Sequence, residues 1–367
     1  MTAELAGLDT PCLLLDRGIL ARNIAGMAAV AARLGVRLRP HMKTAKSIDV
    51  ARMAGAAGIT VSTVAEAAYF AAHGVRDMIY AAGITPRKLE RVVALNAAGA
   101  DIAVITDDPE AAAAIAAHPR PPRTLVEVDS GEHRGGMAPS DDRLTAVAAA
   151  LGPCLAGVLT HAGHSYAGRS VPEMAAIAEA ERQSITAAAD RLRAAGHRVD
   201  IVSMGSSPTV RHAEHLEGVS EVRAGVYMFG DLFQAGIGTH GIGDIAMSVL
   251  ASVIGIRAAE HRFIVDAGGI ALSKDRSTQA GPVDYGFGLV LDKDGAPSFG
   301  AAMVISAYQE HGVVACDPEL SMPALRVGDL VRILPNHTCM TAAAHPHYHV
   351  VDGGPAVHAV WDRVNFW

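Results

Sequence analysis

Eight short β-prone runs recur between residues 36 and 225, and Ala-rich stretches separate them. The runs are Val36 to Pro40, Gly58 to Thr63, Met78 to Ala82, Asp101 to Ile105, Thr124 to Asp129, Leu155 to Thr160, Val199 to Met204 and Glu221 to Gly225. Their spacing of about 20 to 45 residues suits a repeated strand–helix unit. The segments between them, such as Pro109 to His118 and Pro172 to Gly196, read as helices, and the longer one carries charge at helical spacing. Eight such units in about 210 residues predict a (β/α)8 TIM barrel. A doubly wound open sheet is the rival, but no GxGxxG follows the first strand.

The pattern changes near residue 245. Met247 to Ile256, Phe263 to Asp266, Ala301 to Ser306, Leu330 to Leu334 and His349 to Val351 are β-prone runs without helices between them. Gly, Pro and Asp punctuate them, as in GPVDYG and KDGAPS, which predicts an all-β domain. Thr10 to Asp16 is strand-like and is expected to pair with that C-terminal sheet. The predicted domains are therefore a barrel over 17–245 and a β domain made of 1–16 plus 246–367.

Half of the 367 residues are hydrophobic, which excludes a disordered chain. Aromatics are only 4%, so Ala, Val, Leu and Ile are expected to build the core. Net charge is -7 and no basic block stands out, which argues against a nucleic-acid partner. Cys12, Cys154, Cys316 and Cys339 are scattered and form no CxxC, so no disulfide framework is expected. The segment MTAELAGLDTP lacks the basic and apolar regions of a signal peptide, and no apolar run reaches the roughly 20 residues of a membrane span. A cytoplasmic protein without a membrane partner is the expectation.

Chemistry-bearing residues fall at the ends of the predicted barrel strands, where active-site groups of barrels project. RLRPHMKTAKS brings Arg39, His41, Lys43 and Lys46 to the end of the first strand. Neighbouring cations disfavour an ammonium, which suits a lysine to Schiff-base or general-base work; a solvated basic loop is the bland alternative. LTHAGHSY follows the sixth strand with His161, His164 and Tyr166. MGSSPT follows the seventh, and its small residues and hydroxyls suit a phosphate, which barrels commonly hold after strands seven and eight. RAGVYMFGD adds Tyr227 at the end of the eighth. A lysine after strand one with a phosphate cradle opposite suggests pyridoxal phosphate (PLP).

In the β domain, LPNHTC places His337 and Cys339 two residues apart. On an extended strand both would point to one face and reach one Zn²⁺, with water and substrate completing the shell. His345, His347 and His349 are candidate further ligands, but an exposed His-rich turn is the safer reading; Cys12, Cys154 and Cys316 read as ordinary buried thiols.

Together LDTP, RPHMKTAKS, GITVSTVAEA, VLTHAGHSY, GSSPT, VRAGVYMF, VDAG, YQEHG and RILPNHTC cover nearly the whole chain. In them the chain resembles the fold-type III PLP enzymes of alanine racemase-like architecture. The resemblance is specific to the group of D-serine dehydratase, D-threo-3-hydroxyaspartate dehydratase and D-threonine aldolase. It implies that Lys43 binds PLP covalently and that Gly205, Ser206, Ser207, Thr209 and Tyr227 surround the phosphate. It implies that Arg39, Thr160, Tyr166 and Met228 lie near the cofactor, and that His337 and Cys339 bind a divalent metal beside the substrate's β-hydroxyl. His-x-Cys and GSSPT resemble the dehydratases, whereas the aldolases tend toward His-x-Asp and GGGT. A thiolate biases the metal toward Zn²⁺ over Mn²⁺ or Mg²⁺.

The expected reaction is metal-assisted β-elimination of water from a D-3-hydroxy amino acid, with Lys43 taking the Cα proton. The runner-up is retro-aldol cleavage to glycine and an aldehyde, with His41 or His161 as base. A PLP-binding protein of cofactor homeostasis, without strong catalysis, is the remote alternative. Asp275 and Arg276 in SKDRST, and Tyr308, Gln309 and His311 in YQEHG, are candidate substrate-pocket residues, with solvated loops as the alternative. The resemblance also implies a homodimer.

Overall fold

The computed structural model describes residues 3–367. Strands β1 (Ala3–Glu4) and β2 (Cys12–Asp16) precede a helix over Arg17–Arg33. Eight parallel strands then alternate with helices. They are β3 (Arg37–Pro40), β4 (Ile59–Val61), β5 (Asp77–Gly83), β6 (Asp101–Thr106), β7 (Thr124–Val128), β8 (Leu155–Thr160), β9 (Ile201–Met204) and β10 (Glu221–Ala224). Each coincides with an expected run.

Their sheet order is β3-β10-β9-β8-β7-β6-β5-β4. The ring closes just beyond β3 through a His41–Thr60 bridge, where the Met42 N–H donates to the Thr60 carbonyl at 2.8 Å. The open-sheet rival is thereby excluded. Local signals explain the surrounding helices. Ser170 accepts the Glu173 N–H at the start of Val171–Ala194, Pro172 occupies its first turn, and Arg191 and Arg193 lie in the last. Its buried stripe is Met174, Ala178, Glu181, Ile185, Ala188, Ala189 and Leu192.

Part of the barrel core is polar. Glu221 accepts from Arg39 Nε and from Ser203 Oγ, and Ser203 Oγ in turn accepts from Arg223 Nη1. Arg39, Ser203, Glu221 and Arg223 are all buried, so the low aromatic content is not met by aliphatics alone. Each buried charge here has a hydrogen-bonded partner, as burial in a low dielectric requires.

The β region comprises β11 (Met247–Arg257), β12 (Arg262–Val265), β13 (Leu289–Asp292), β14 (Met303–Ala307), β15 (Gly312–Ala315), β16 (Leu330–Leu334), β17 (His347–Val351), β18 (Ala356–Val357) and β19 (Ala359–Asp362). The main sheet runs β12-β15-β14-β13-β16-β11-β2-β17-β19, and β1 pairs with β18. As expected, the N-terminal strand joins the C-terminal sheet: β2 is antiparallel to β11 and parallel to β17. Leu5, Cys12, Leu14, Leu250, Val351 and Val357 pack there as one apolar cluster. Burying a leucine side chain is worth roughly 2 kcal/mol, so this seam contributes substantially. Strands β13, β15, β18 and β19 were not anticipated; they are short and sit among Gly, Asp and His residues that read as turns.

Two compact units emerge. One holds the residues up to Ala25 with Val226–Asn365, and the other holds Gly26–Gly225 with Phe366–Trp367. The barrel unit thus ends before the expected boundary at 245. Backbone bonding gives the reason: the Leu232 and Phe233 N–H groups donate to the carbonyls of Pro335 and Asn336, and the Ala246 N–H donates to Phe229. No helix among the described residues is long and apolar enough to cross a membrane.

Candidate cofactor and metal site

The segment after β3 separates its two lysines. Lys46, in a left-handed backbone conformation (φ 50°), places Nζ 2.5 Å from the fully buried Glu66 carboxylate. Glu66 also accepts the Ser62 N–H at 2.9 Å, which ties this segment to the end of β4. Lys43 is exposed, and no ion pair involves its ammonium among the described residues. Of these two lysines, Lys43 is the one left free of an ion pair.

His41 and His161 flank this lysine electrostatically. Loss of solvation lowers both imidazoles, and the Lys43 ammonium and Arg223 guanidinium lower them further. His161 falls to about 3 and His41 lies well below its usual range. Both rings are neutral at pH 7. His161 Nδ1 lies 3.0 Å from the Gly205 carbonyl; a carbonyl only accepts, so Nδ1 carries the proton and Nε2 keeps its lone pair. His41 Nδ1 accepts the Lys43 N–H at 3.4 Å, which leaves Nε2–H to donate to Ser62 Oγ at 3.4 Å.

The loop after β9 is shaped for close approach. Gly205 has φ +122°, and a Cβ there would meet the Arg223 carbonyl at 2.8 Å. Ser206 caps the helix Ser207–His212 in a reciprocal box with Thr209 and meets Ser165 Oγ at 2.8 Å. The hydroxyls of Ser206 and Thr209 are thus partly committed to each other. Thr160 Oγ1 donates to Ser130, and the Thr160 carbonyl accepts from Arg223 at 2.5 Å. Tyr166 lies on the 3-10 turn Gly163–Ala167 that carries Ser165.

Two residues escaped the sequence reading here. Glu181, fully buried, accepts the N–H of Ala162 at 3.0 Å and of Gly205 at 2.9 Å, so one carboxylate oxygen joins the loops after β8 and β9. Burial pushes its pKa up despite these donors. Arg223 is the other; burial lowers its pKa to about 10 against Glu221, Glu181 and Glu127, so it stays cationic. A charge within an apolar helix stripe, and charges alternating along a strand, were the available signals.

Arg39 is corrected. Its guanidinium makes a two-pronged pair with Asp77 at 3.0 and 2.9 Å and binds Glu221, the first residues of β5 and β10. It therefore serves the N-terminal end of the barrel strands rather than the cofactor end. Tyr227 and Met228 belong to the other unit and are buried there; the Tyr227 carbonyl bonds His240 and the Met228 carbonyl accepts from Asn23.

In the β unit, His337 and Cys339 do come together, but not by strand alternation. His337 (φ -138°, ψ 98°) is the N-cap of the helix Thr338–Ala342, and Cys339 lies in its first turn. Burial would lower the His337 pKa; hydrogen bonds to Asp275 and Cys339, with the charge of Asp231, override it and raise it to about 11. Asp275 Oδ2 lies 3.0 Å from His337 Nδ1. Asp231 accepts the Gln234 and Thr338 N–H groups, and burial raises its pKa to about 6. No cluster of three or more His, Cys, Asp or Glu side chains placed to hold a metal occurs among the described residues. One imidazole and one thiolate, with a carboxylate on the far ring nitrogen, fit a catalytic divalent metal. On the barrel side, an uncommitted lysine and a glycine cradle likewise fit PLP.

Arg276 pairs with Asp284 at 2.7 Å and lies over the Phe287 ring, 5.0 Å from its centroid. Tyr308, Gln309 and His311 form the tip between β14 and β15, all exposed. That tip is pinned by the Gly269 N–H, which donates to the Tyr308 carbonyl at 2.6 Å. The His-rich stretch is corrected too: His345 is buried with Nε2 on the Ala271 carbonyl, and His347 and His349 lie on β17. Cys12 and Cys316 are buried as expected, and Cys154 is partly exposed.

Comparison with known proteins agrees with this architecture. Residues 15–232 match the family model of the alanine racemase N-terminal domain, and 246–351 match that of the putative serine dehydratase domain. The chain belongs to the alanine racemase-like family in which that barrel is joined to a serine dehydratase domain. It is 42% identical to D-threo-3-hydroxyaspartate dehydratase from Delftia sp. (strain HT23), over 100% of both chains. It is 28% identical to D-serine dehydratase from Dictyostelium discoideum over 95% of both chains. It is 30% identical to 3-hydroxy-D-aspartate aldolase from Paracoccus denitrificans (strain Pd 1222), over 96% of this chain and 91% of that one. A solved cysteine-to-alanine variant of D-threo-3-hydroxyaspartate dehydratase, in the metal-free form, superposes with TM-score 0.94 at 41% identity over 100% of each chain.

Proposed function

We propose that this chain is a PLP- and divalent-metal-dependent lyase of the cytoplasm, working as a homodimer. It removes water from a D-3-hydroxy amino acid of the D-serine, D-threonine or 3-hydroxyaspartate type and yields a 2-oxo acid and ammonia. The observation that carries the reading is the His337–Cys339 pair, which lies in the segment matched by the serine dehydratase domain. Its thiolate supports Zn²⁺ over Mn²⁺ or Mg²⁺.

Lys43 would hold PLP, with the phosphate around Gly205, Ser206, Ser207, Thr209 and Tyr227 and with Thr160, Tyr166 and Met228 near the ring. When bound, PLP supplies an electron sink for charge at Cα and the metal on His337 and Cys339 supplies a Lewis acid toward the β-hydroxyl. The protein's own part begins with Lys43, whose amine would take the Cα proton. His161 fixes the phosphate loop through Gly205, and His41 orients the Lys43 backbone. Arg276, Tyr308, Gln309 and His311 would set substrate preference.

The histidine environment weighs against retro-aldol cleavage. That reaction needs a base for the β-hydroxyl proton, whereas His161, at about 3, is a poor base at neutral pH and the His41 Nδ1 lone pair already accepts a backbone donor. A homeostasis protein would have no use for the His337–Cys339 pair. The test is proton NMR of products from D-threonine with purified protein, PLP and Zn²⁺. Appearance of 2-oxobutyrate is expected; glycine and acetaldehyde would overturn the reading in favour of an aldolase.

A further inference from the structure

Two carboxylates lie near His337, and they do different things. Asp231 spends its oxygens on backbone donors, Gln234 N–H at 2.7 Å and Thr338 N–H at 3.1 Å, and so shapes the turn. Of the two carboxylates, Asp275 is the one hydrogen-bonded to the imidazole, at 3.0 Å from Nδ1. Its carboxylate is held in advance. Oδ1 accepts the Ser277 N–H at 2.8 Å, and its backbone carbonyl accepts Asn336 Nδ2 at 3.1 Å. The same amide nitrogen donates to the Gly286 carbonyl at 2.7 Å, so Asn336, the residue before His337, ties both ends of the 275–286 loop to the His337 turn.

We infer that Asp275 is a positioning residue for the metal site, fixing the tautomer and aim of His337. The inference rests on the metal-site reading above. An ionised carboxylate only accepts, so Nδ1 keeps its proton and Nε2 is the nitrogen turned toward an ion. Without Asp275, Nδ1 loses the acceptor that selects this tautomer, and part of the affinity is spent on ordering the ring.

The test measures Zn²⁺ affinity of cofactor-loaded protein, stripped with a chelator, by competition with a chromogenic chelator. Wild type, His337→Ala, Asp275→Ala and Asp275→Asn are compared, with visible cofactor absorption and the melting temperature of the metal-free form recorded for each. Wild type should bind one Zn²⁺ per chain and His337→Ala none. Asp275→Ala should weaken binding about 10- to 100-fold, the range for loss of such an outer partner. Asp275→Asn, whose amide oxygen still accepts from Nδ1, should recover part of that loss. Cofactor absorption and metal-free melting temperature should not move. Wild-type affinity in Asp275→Ala overturns the inference alone. Equal loss in both Asp275 variants with a lowered metal-free melting temperature overturns it in favour of a purely structural role. A wild type without His337-dependent Zn²⁺ overturns the metal site itself, and the inference with it.

Discussion

Lys46 and Glu66 form an ion pair at 2.5 Å with the carboxylate fully buried, only three residues beyond Lys43. The pair separates two lysines that look alike in sequence. Lys46→Ala would leave a buried, uncompensated carboxylate at a cost of roughly 3 kcal/mol. Lys43→Ala removes an exposed side chain and should cost little stability. Purified with PLP, Lys43→Ala should lose the visible absorption of the covalently held cofactor and all turnover. Lys46→Ala should keep that absorption and melt lower. Retention of the band by Lys43→Ala would sink the assignment.

The barrel was legible because its strands are buried on both faces and read as apolar runs at regular spacing. The charged interior was less so. Arg39, beside His41 and Lys43 in sequence, looked like part of the same cluster. Its guanidinium instead reaches back to Asp77 and Glu221 at the starts of β5 and β10, which are distant in sequence. The His-x-Cys spacing was visible, but its geometry was not: a helix begins at Thr338, so a turn rather than a pleat brings the two donors together. Asp275, 62 residues from His337, has no local signature of its role.

The depressed His161 imidazole makes stability depend on pH. Its native pKa is about 3, below the unfolded value near 6.5. Above about pH 6.5 the ring is neutral in both states and its environment costs nothing. As pH falls below that, the unfolded chain takes up a proton that the native ring refuses, so stability is lost progressively down to about pH 3. Urea midpoints of cofactor-free protein should therefore fall between pH 7 and pH 5. His161→Gln should show a shallower fall over the same interval. An equally steep fall in the variant would mean that His161 titrates normally in the native state.

Glu181 reads as a surface residue by type, yet it sits in the buried stripe of its helix. Its single oxygen satisfies two backbone donors from separate loops, those of Ala162 and Gly205. Leaving one buried donor unmet costs about 1–3 kcal/mol, so Glu181→Ala should destabilise by at least about 2 kcal/mol. Glu181→Gln keeps an acceptor oxygen in place and should lose less. The loops concerned carry His161 and Gly205, so cofactor binding should suffer alongside stability. Equilibrium dialysis of PLP should show weaker retention in Glu181→Ala, with Glu181→Gln between it and wild type. If the alanine variant melts lower but retains PLP as tightly as wild type, Glu181 supports the barrel without shaping the phosphate loop.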